Sequence, residues 1–448
     1  MTSVLPQPLR LIRNATLADG RLVDVALDGA TVAAVTPAAG PAGDSGDHSA
    51  GDSAAGDDVL DLTGFVLLPA PAEPHAHLDK ALSWDRIRPP MGDLRRAIES
   101  WQAYAATMDV DEIADRARTQ LLDMLAQGTT AVRSHVDVLL GPEPLRGAQA
   151  LVRVREELAG LVDLELVALA SHLSDDASVE AVLDLGVELV GGAPHLAPDP
   201  QHEVARLLAL ARRRGRGVDL HADEGLGGAD TLTTYARTVR DWPAGTSLSA
   251  GHCVRLGTLA GDELAAAVAE VRASDIGVIS LPITNLYLQG WEHPVSTPRG
   301  LTALRALLDA GVRVAAGADN VRDPFNPVGR GDALETASLL VTAGHLTLDE
   351  AYAAVSTGAR SVLHLPVAGV VPGAAAELLA VRGADLAEVV ATASPDRYVV
   401  HAGRLVARTR VERTVAAPAT ALPTGPLDAA GPAAAPAPRP DALLTGTR

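Results

Sequence analysis

From residue 65 to residue 319, short apolar runs rich in Val, Leu and Ala alternate with longer stretches of helical period. The runs are Phe65–His77, Thr129–Val138, Asp163–His172, Glu188–Leu196, Gly217–Glu224, Ser247–Cys253, Gly277–Ile283 and Arg313–Asp319. Each has the length and the β-branched content of a buried strand. Between the first two lies "DEIADRARTQLLDMLAQG", where Ile113, Ala117, Leu121, Met124 and Leu125 fall on one helical face. Gly128 is placed to cap that helix. Strand and helix alternating eight times predict a (β/α)8 barrel of the TIM type.

The flanks have a different rhythm. Leu9 to Val35 reads as short strands, and so do the stretches "GVVPGAAAELLAVRG" and "RYVVHAGRLVART" after the barrel. Both chain ends are expected to pair into one small β-domain, with residues 1–65 as its first part and 366–415 as its second. The barrel then spans 66–365. Residues 37–58 and 416–448 consist of Gly, Ala, Ser, Asp, Pro and Thr with little to bury, so a disordered loop and a disordered tail are expected there.

Composition narrows the function classes. The 448 residues carry 37 basic and 56 acidic side chains, a formal charge of −19. Such a surface repels phosphate backbones, so no nucleic-acid partner is expected. No apolar run reaches spanning length and no signal-peptide core is visible, which predicts a cytoplasmic protein without a membrane partner. A single cysteine, Cys253, excludes an internal disulfide framework and a thiolate zinc cluster within the chain. Lys80 is the one lysine; every other basic residue is arginine.

In a barrel of this type the site lies at the C-terminal strand ends. Histidines gather there: His75 and His77 on the first run, His135 with Asp137 on the second, His172 on the third and His195 on the fourth. The fifth run ends in His221 and Glu224, the sixth in His252 and the eighth in Asp319. A lone histidine in an apolar segment is more often a hydrogen-bonded core residue than a ligand. Seven of 13 converging on one mouth point instead to a divalent cation, for which imidazoles plus a carboxylate form an ordinary ligand set.

The order HxH, His, His, Asp along strands one, five, six and eight resembles the amidohydrolase superfamily. Within it, "AEPHAHLDK", "RSHVDV", "VDLHADE", "AGHC", "NLYLQG" and "GADNVRDPFNPVG" resemble the bacterial metal-dependent cytosine deaminases. The resemblance implies His75, His77, His221 and Asp319 as metal ligands. It implies Glu224 as acid/base, with His252 beside the attacking water and Asp319 able to take that water's proton. The lysine that lets some relatives hold two metals is missing from the fourth run, so one ion, zinc or iron, is expected. The implied activity is hydrolytic deamination of a cyclic amidine, cytosine or a related heterocycle, releasing ammonia. A small-molecule substrate and, from the family's habit, a homo-oligomer follow.

Ser171 and His172 stand where those deaminases carry a glutamine that reads the pyrimidine edge, and Asn320 replaces a second aspartate. These changes leave the reaction class in place and open the substrate. Ser171, His172, His195, Gln289, Asn320 and Lys80 are the expected substrate-side residues, with Lys80 equally readable as a surface lysine and Arg322–Asp323 as a loop ion pair. Two other readings stay open: cleavage of a cyclic amide or an exocyclic N-alkyl group, and a non-catalytic barrel serving as a binding subunit.

Overall fold

Eight parallel strands follow one another in sequence order around the centre of the protein, seen here in a computed structural model that describes residues 5–38 and 58–416. They are β1 (Ala72–Ala76), β2 (Ala131–Asp137), β3 (Asp163–Ala170), β4 (Leu189–Gly192), β5 (Gly217–Ala222), β6 (Leu248–His252), β7 (Gly277–Ser280) and β8 (Val314–Ala316). A parallel bridge between Ala76 and Asp319 brings the last strand end back to the first. The expected (β/α)8 barrel with a small β-domain is therefore the fold. The chain segments expected at 37–58 and 416–448 lie almost wholly outside the described residues.

The strands are buried on both faces, which is why they read as unbroken apolar runs rather than alternating ones. Helices cover the outside. Helix α1 is Leu94–Ala105 and α2 is Val110–Ala126. Asp109 caps α2 by accepting from the Glu112 amide, and the helix buries Ile113, Ala117, Leu121, Met124 and Leu125 as its period predicts. Inside the barrel, below the site, the filling is ionic. Arg133 is fully buried and reaches Glu165 (2.6 Å), Asp219 (2.9 Å) and the Ser249 hydroxyl (2.8 Å). A buried guanidinium tolerates such a place only when its donors are met on several sides.

The first apolar run divides. Phe65–Pro69 joins the small sheet, antiparallel to Leu378–Arg382, and only Ala72–Ala76 enters the barrel. The expectation of one continuous strand over Phe65–His77 is corrected accordingly. Pro69 and Pro71 explain the break, since neither can donate to a ladder. Among the described residues the small sheet has nine strands and takes them from both chain ends, around a core that includes Ile12, Val25, Leu67, Leu378 and Tyr398. Phe65 and Tyr398 meet edge to face at 5.1 Å across it.

Candidate metal centre and active site

Three imidazoles meet at the top of the barrel. His75 is the next-to-last residue of β1, His77 follows the strand, and His221 lies near the end of β5. The His221 Nε2 is 3.2 Å from that of His75 and 3.1 Å from that of His77. Asp319, just past β8, sets Oδ1 3.3 Å from His77 Nε2 and 4.0 Å from His75 Nε2. Metal–nitrogen bonds of ~2.0–2.1 Å place tetrahedral ligands roughly 3.3 Å apart, so the spacing suits one ion.

The protonation states suit one as well. Burial first, then neighbouring imidazoles, push His75 and His221 well below the ordinary histidine value. Burial and the Lys80 ammonium bring His77 down to about 4. The rings are therefore neutral. Burial raises Asp319 to about 7, with His252 opposing and Glu224 adding to the rise. Both Asp319 oxygens are buried with no hydrogen-bond partner. A buried carboxylate left unpaired among neutral imidazoles is costly, and a cation removes that cost. The residues present fit a divalent metal.

Two glycines and one glutamate build this geometry. A Cβ on Gly251 of β6 would lie 2.7 Å from His75 Cε1, so only glycine leaves room for that ring. A Cβ on Gly317 would lie 2.0 Å from Glu73 Oε1. Glu73 accepts the His75 amide at 3.0 Å with one oxygen and the Ala318 amide at 2.8 Å with the other. It thereby ties β1 to the residue before Asp319. His252 (φ 68°) and Asp319 (φ 62°) both sit in the left-handed region, a strained backbone at the strand ends where the site is assembled.

Around the centre stand further titratable groups. His195 directs Nδ1 to the His221 carbonyl at 3.1 Å and Nε2 to Glu224 Oε2 at 3.3 Å. Burial alone would raise Glu224, but the charges of His252 and His195 and the His195 hydrogen bond bring it down to about 2. Asn285, on α3 (Pro282–Leu288), donates its amide to His252 Nδ1 at 3.0 Å. On the other side of the ring, His252 Nε2 is 3.9 Å from Asp319 Oδ2.

A cavity of about 580 Å³ opens onto this arrangement and is bordered by His77, His221, Glu224, His252, Asp319 and Asn320 at its inner end. The remaining expected residues take varied places. Lys80 borders the cavity but is buried, not a surface lysine. Its Nζ lies 2.6 Å from Asp137 and 3.4 Å from Asp79. Asp137 also accepts from Trp101 Nε1 at 2.6 Å, which fastens α1 to the end of β2. Ser171 and the exposed His172 border the outer part. The Ser171 hydroxyl accepts the Leu173 amide at 3.1 Å. Gln289 does not border the cavity; its side-chain amide donates to the Glu224 carbonyl at 2.8 Å. Asn320 borders it, with its amide nitrogen donating to Asp323 at 2.7 Å. Arg322 pairs with Asp85 at 3.2 Å, so the expected Arg322–Asp323 ion pair does not form. His135 is fully buried with its ring 4.1 Å from that of His75, behind the centre.

Glu73, Asn285, Asp323 and Trp101 were not among the expected site residues. Glu73 left a visible trace as the one acid inside the apolar run before His75. Trp101 left another, being one of four tryptophans in a chain that is 2% aromatic. Asn285 and Asp323 lie on loops and a short helix whose sequence has no period to read.

Comparison with known proteins gives a consistent picture. A sequence model described as "Amidohydrolase family" matches residues 88–407. A pterin deaminase of Rhizobium rhizogenes is 31% identical over 362 residues, covering 78% of this chain and 82% of that protein. The crystal structure of a 5-methylcytosine deaminase from Klebsiella pneumoniae, liganded with 5-fluorocytosine, superposes with a TM-score of 0.79 at 27% identity, over 91% of this chain and 99% of that one. That of an N-isopropylammelide isopropylaminohydrolase from Burkholderia multivorans gives 0.73 at 29% identity, over 90% and 98%.

Proposed function

The chain belongs to the amidohydrolase family, and on that premise we propose that it deaminates a bicyclic aminopyrimidine of the pterin class. The amine on an amidine carbon is replaced by oxygen from water, and ammonia leaves. The observation that carries the reading is that Glu224 and His252 flank one metal-type cluster at the base of a cavity of about 580 Å³. The pterin deaminase relative supports the larger ring.

His75, His77, His221 and Asp319 would hold one divalent cation, zinc or iron. Such an ion makes a water nucleophilic at neutral pH. Glu224, held ionised by His195 and His252, accepts the proton of the attacking water and passes it to the ring nitrogen beside the attacked carbon. His252 Nε2 donates to the oxygen on which charge develops. As the carbon–nitrogen bond breaks, the proton left on the attacking oxygen passes through Glu224 to the amine, which departs as ammonia while that oxygen becomes the product carbonyl. Gln289 holds the backbone carbonyl of Glu224 and so positions the acid/base.

Substrate choice follows from Asn320 and Ser171. With its nitrogen committed to Asp323, Asn320 offers Oδ1 as an acceptor for a ring N–H or amine. Ser171 has its oxygen engaged with Leu173 and is too short to imitate a glutamine at the ring edge. An amide-shaped vacancy remains there, which suits a second fused ring.

Ammonia release from pterin, 5-methylcytosine, cytosine and N-isopropylammelide, with the metal-loaded protein, tests this. Pterin is expected to exceed cytosine in kcat/KM by roughly two orders of magnitude, since mismatched buried polar groups cost about 1–3 kcal/mol each. Faster turnover of cytosine, or isopropylamine released faster than ammonia, would overturn the reading.

A further inference from the structure

The cavity has two chemically different halves. Its inner end carries the polar groups just described. Its outer end is mainly apolar: Leu140, Leu173 and Leu196 come from the loops after β2, β3 and β4, and Leu94 and Ile98 come from α1, with Arg95, Glu99 and Gln102 of α1 and His172 also on its border. Leu140 is 41% exposed, Leu173 61% and Leu196 42%. Single exposed leucines are ordinary on a protein surface. Leucines from three successive strand-to-helix loops bordering one cavity form a patch, and a patch at the mouth of a reaction site marks something that lands on it.

The wall formed by α1 is also made firm. α1 is tied to the barrel through Trp101 Nε1 and Asp137 (2.6 Å), and Asp137 is held by Lys80 (2.6 Å). Arg116 of α2 donates to the carbonyls of Asp79 (2.9 Å) and Ala81 (2.7 Å), fixing the segment that carries Lys80. Leu94 and Ile98 thus stand on a helix anchored before any ligand arrives, which lowers the ordering cost of binding.

Volume completes the argument. At about 580 Å³ the cavity lies within the roughly 300–1,000 Å³ range of sites that take drug-sized ligands. A bare fused bicyclic ring of about a dozen heavy atoms fills well under half of a cavity this size.

We infer that the outer chamber is a subsite for an apolar substituent on the substrate's ring, so that the preferred substrate is a ring-alkylated or aryl-substituted bicyclic aminopyrimidine rather than the bare heterocycle. This rests on the deaminase reading of the inner site and extends it. The substituent does not react; the leaving group is still ammonia. Its methylenes lie on Leu140, Leu173 and Leu196 while the amidine carbon faces Glu224.

The test uses the full-length metal-loaded protein and two probes, pterin and pterins bearing an n-propyl or n-pentyl chain at C6 or C7. Seated methylenes each strengthen binding by about two- to fourfold. One chain position is therefore expected to lower KM at least tenfold relative to pterin, with kcat little changed. In a Leu173→Ser, Leu196→Ser double variant the ratio of alkylpterin to pterin kcat/KM should fall toward one. Both positions are exposed, and thermal melts confirm that the variant folds. Turnover of pterin with no gain from a chain at either position overturns the subsite and leaves the deaminase reading standing. No ammonia from any pterin overturns both. A ratio unmoved by the double variant, accompanied by a changed sedimentation coefficient, assigns the leucines to contact between copies of the chain and also overturns the inference.

Discussion

His195 sets its Nε2 3.3 Å from Glu224 Oε2 while its other nitrogen holds the carbonyl of His221. One ring thus links the proposed proton carrier to the backbone of a proposed metal ligand. Removing it should cost alignment rather than metal. His195→Ala is expected to lower kcat about 10–100-fold, the usual range for a partner that orients a reacting group. Elemental analysis should find unchanged metal content. Glu224→Gln should cost more, on the order of 10²–10⁴-fold, because the carrier itself is lost. Equal turnover in His195→Ala and wild type would remove His195 from the machinery.

Glu73 provides a second test. Each of its oxygens accepts one backbone N–H, on His75 and on Ala318. Glu73→Gln keeps the shape but turns an NH₂ against one of those donors. A buried donor left unmet costs about 1–3 kcal/mol. The melting temperature should drop by several degrees, and competition against a chelator should show metal affinity weakened roughly 10–100-fold. An unchanged affinity would show that β1 and Asp319 are aligned without it.

Gly251→Ala separates site geometry from global stability. The added methyl would meet His75 Cε1 at 2.7 Å, and the ring has to move. Metal content after purification should fall well below that of wild type. The melting temperature of the chelator-treated variant should stay close to that of chelator-treated wild type. A full metal complement in the variant would argue that His75 is not a ligand.

A pH-dependent contribution to stability is expected far from the metal, where the small sheet meets the barrel floor. His401 Nδ1 lies 2.9 Å from Glu377 Oε2, and Asp163 at the start of β3 is 3.9 Å from His401 Nε2. Burial would lower His401, but Glu377 outweighs it and raises the ring above its ordinary 6.5. Burial would raise Glu377, but His401 outweighs it and lowers the carboxyl below its ordinary 4.5. The histidine's contribution is complete below 6.5 and is lost as pH rises through the raised value. The glutamate's is complete above 4.5 and is lost as pH falls through the lowered one. The melting-temperature gap between wild type and His401→Gln should therefore be widest at about pH 5.5 and narrow at about pH 9. A gap that does not vary with pH would mean the pair is not ionised in the native protein.

The barrel and the histidine cluster were legible because both rest on repetition. Eight buried strands repeat one pattern, and His75, His77, His221, His252 and Asp319 each fall where that pattern ends. The split of Phe65–His77 was not legible, since two buried strands from different sheets read as one apolar run when only Ala70 and Pro71 separate them. Gln289 and Lys80 carried the right residue types for substrate contact. Whether such a side chain faces a ligand or a neighbouring carbonyl or carboxylate is decided by loop geometry, which has no period. Asp323 was misread for the same reason: proximity to Arg322 in sequence suggested a pair, and the turn sends the two apart.

The solitary lysine has a practical corollary. Lys80 is buried between Asp137 and Asp79, so the protein's surface presents guanidinium groups and no lysine amine at all. Reagents that acylate side-chain amines should react with the folded protein only as the ion pairs of Lys80 to Asp137 and Asp79 open. The rate at which Lys80 is acylated is then a clock for that opening, read by mass spectrometry at one position against a silent background. Ligands that close the mouth should stop the clock.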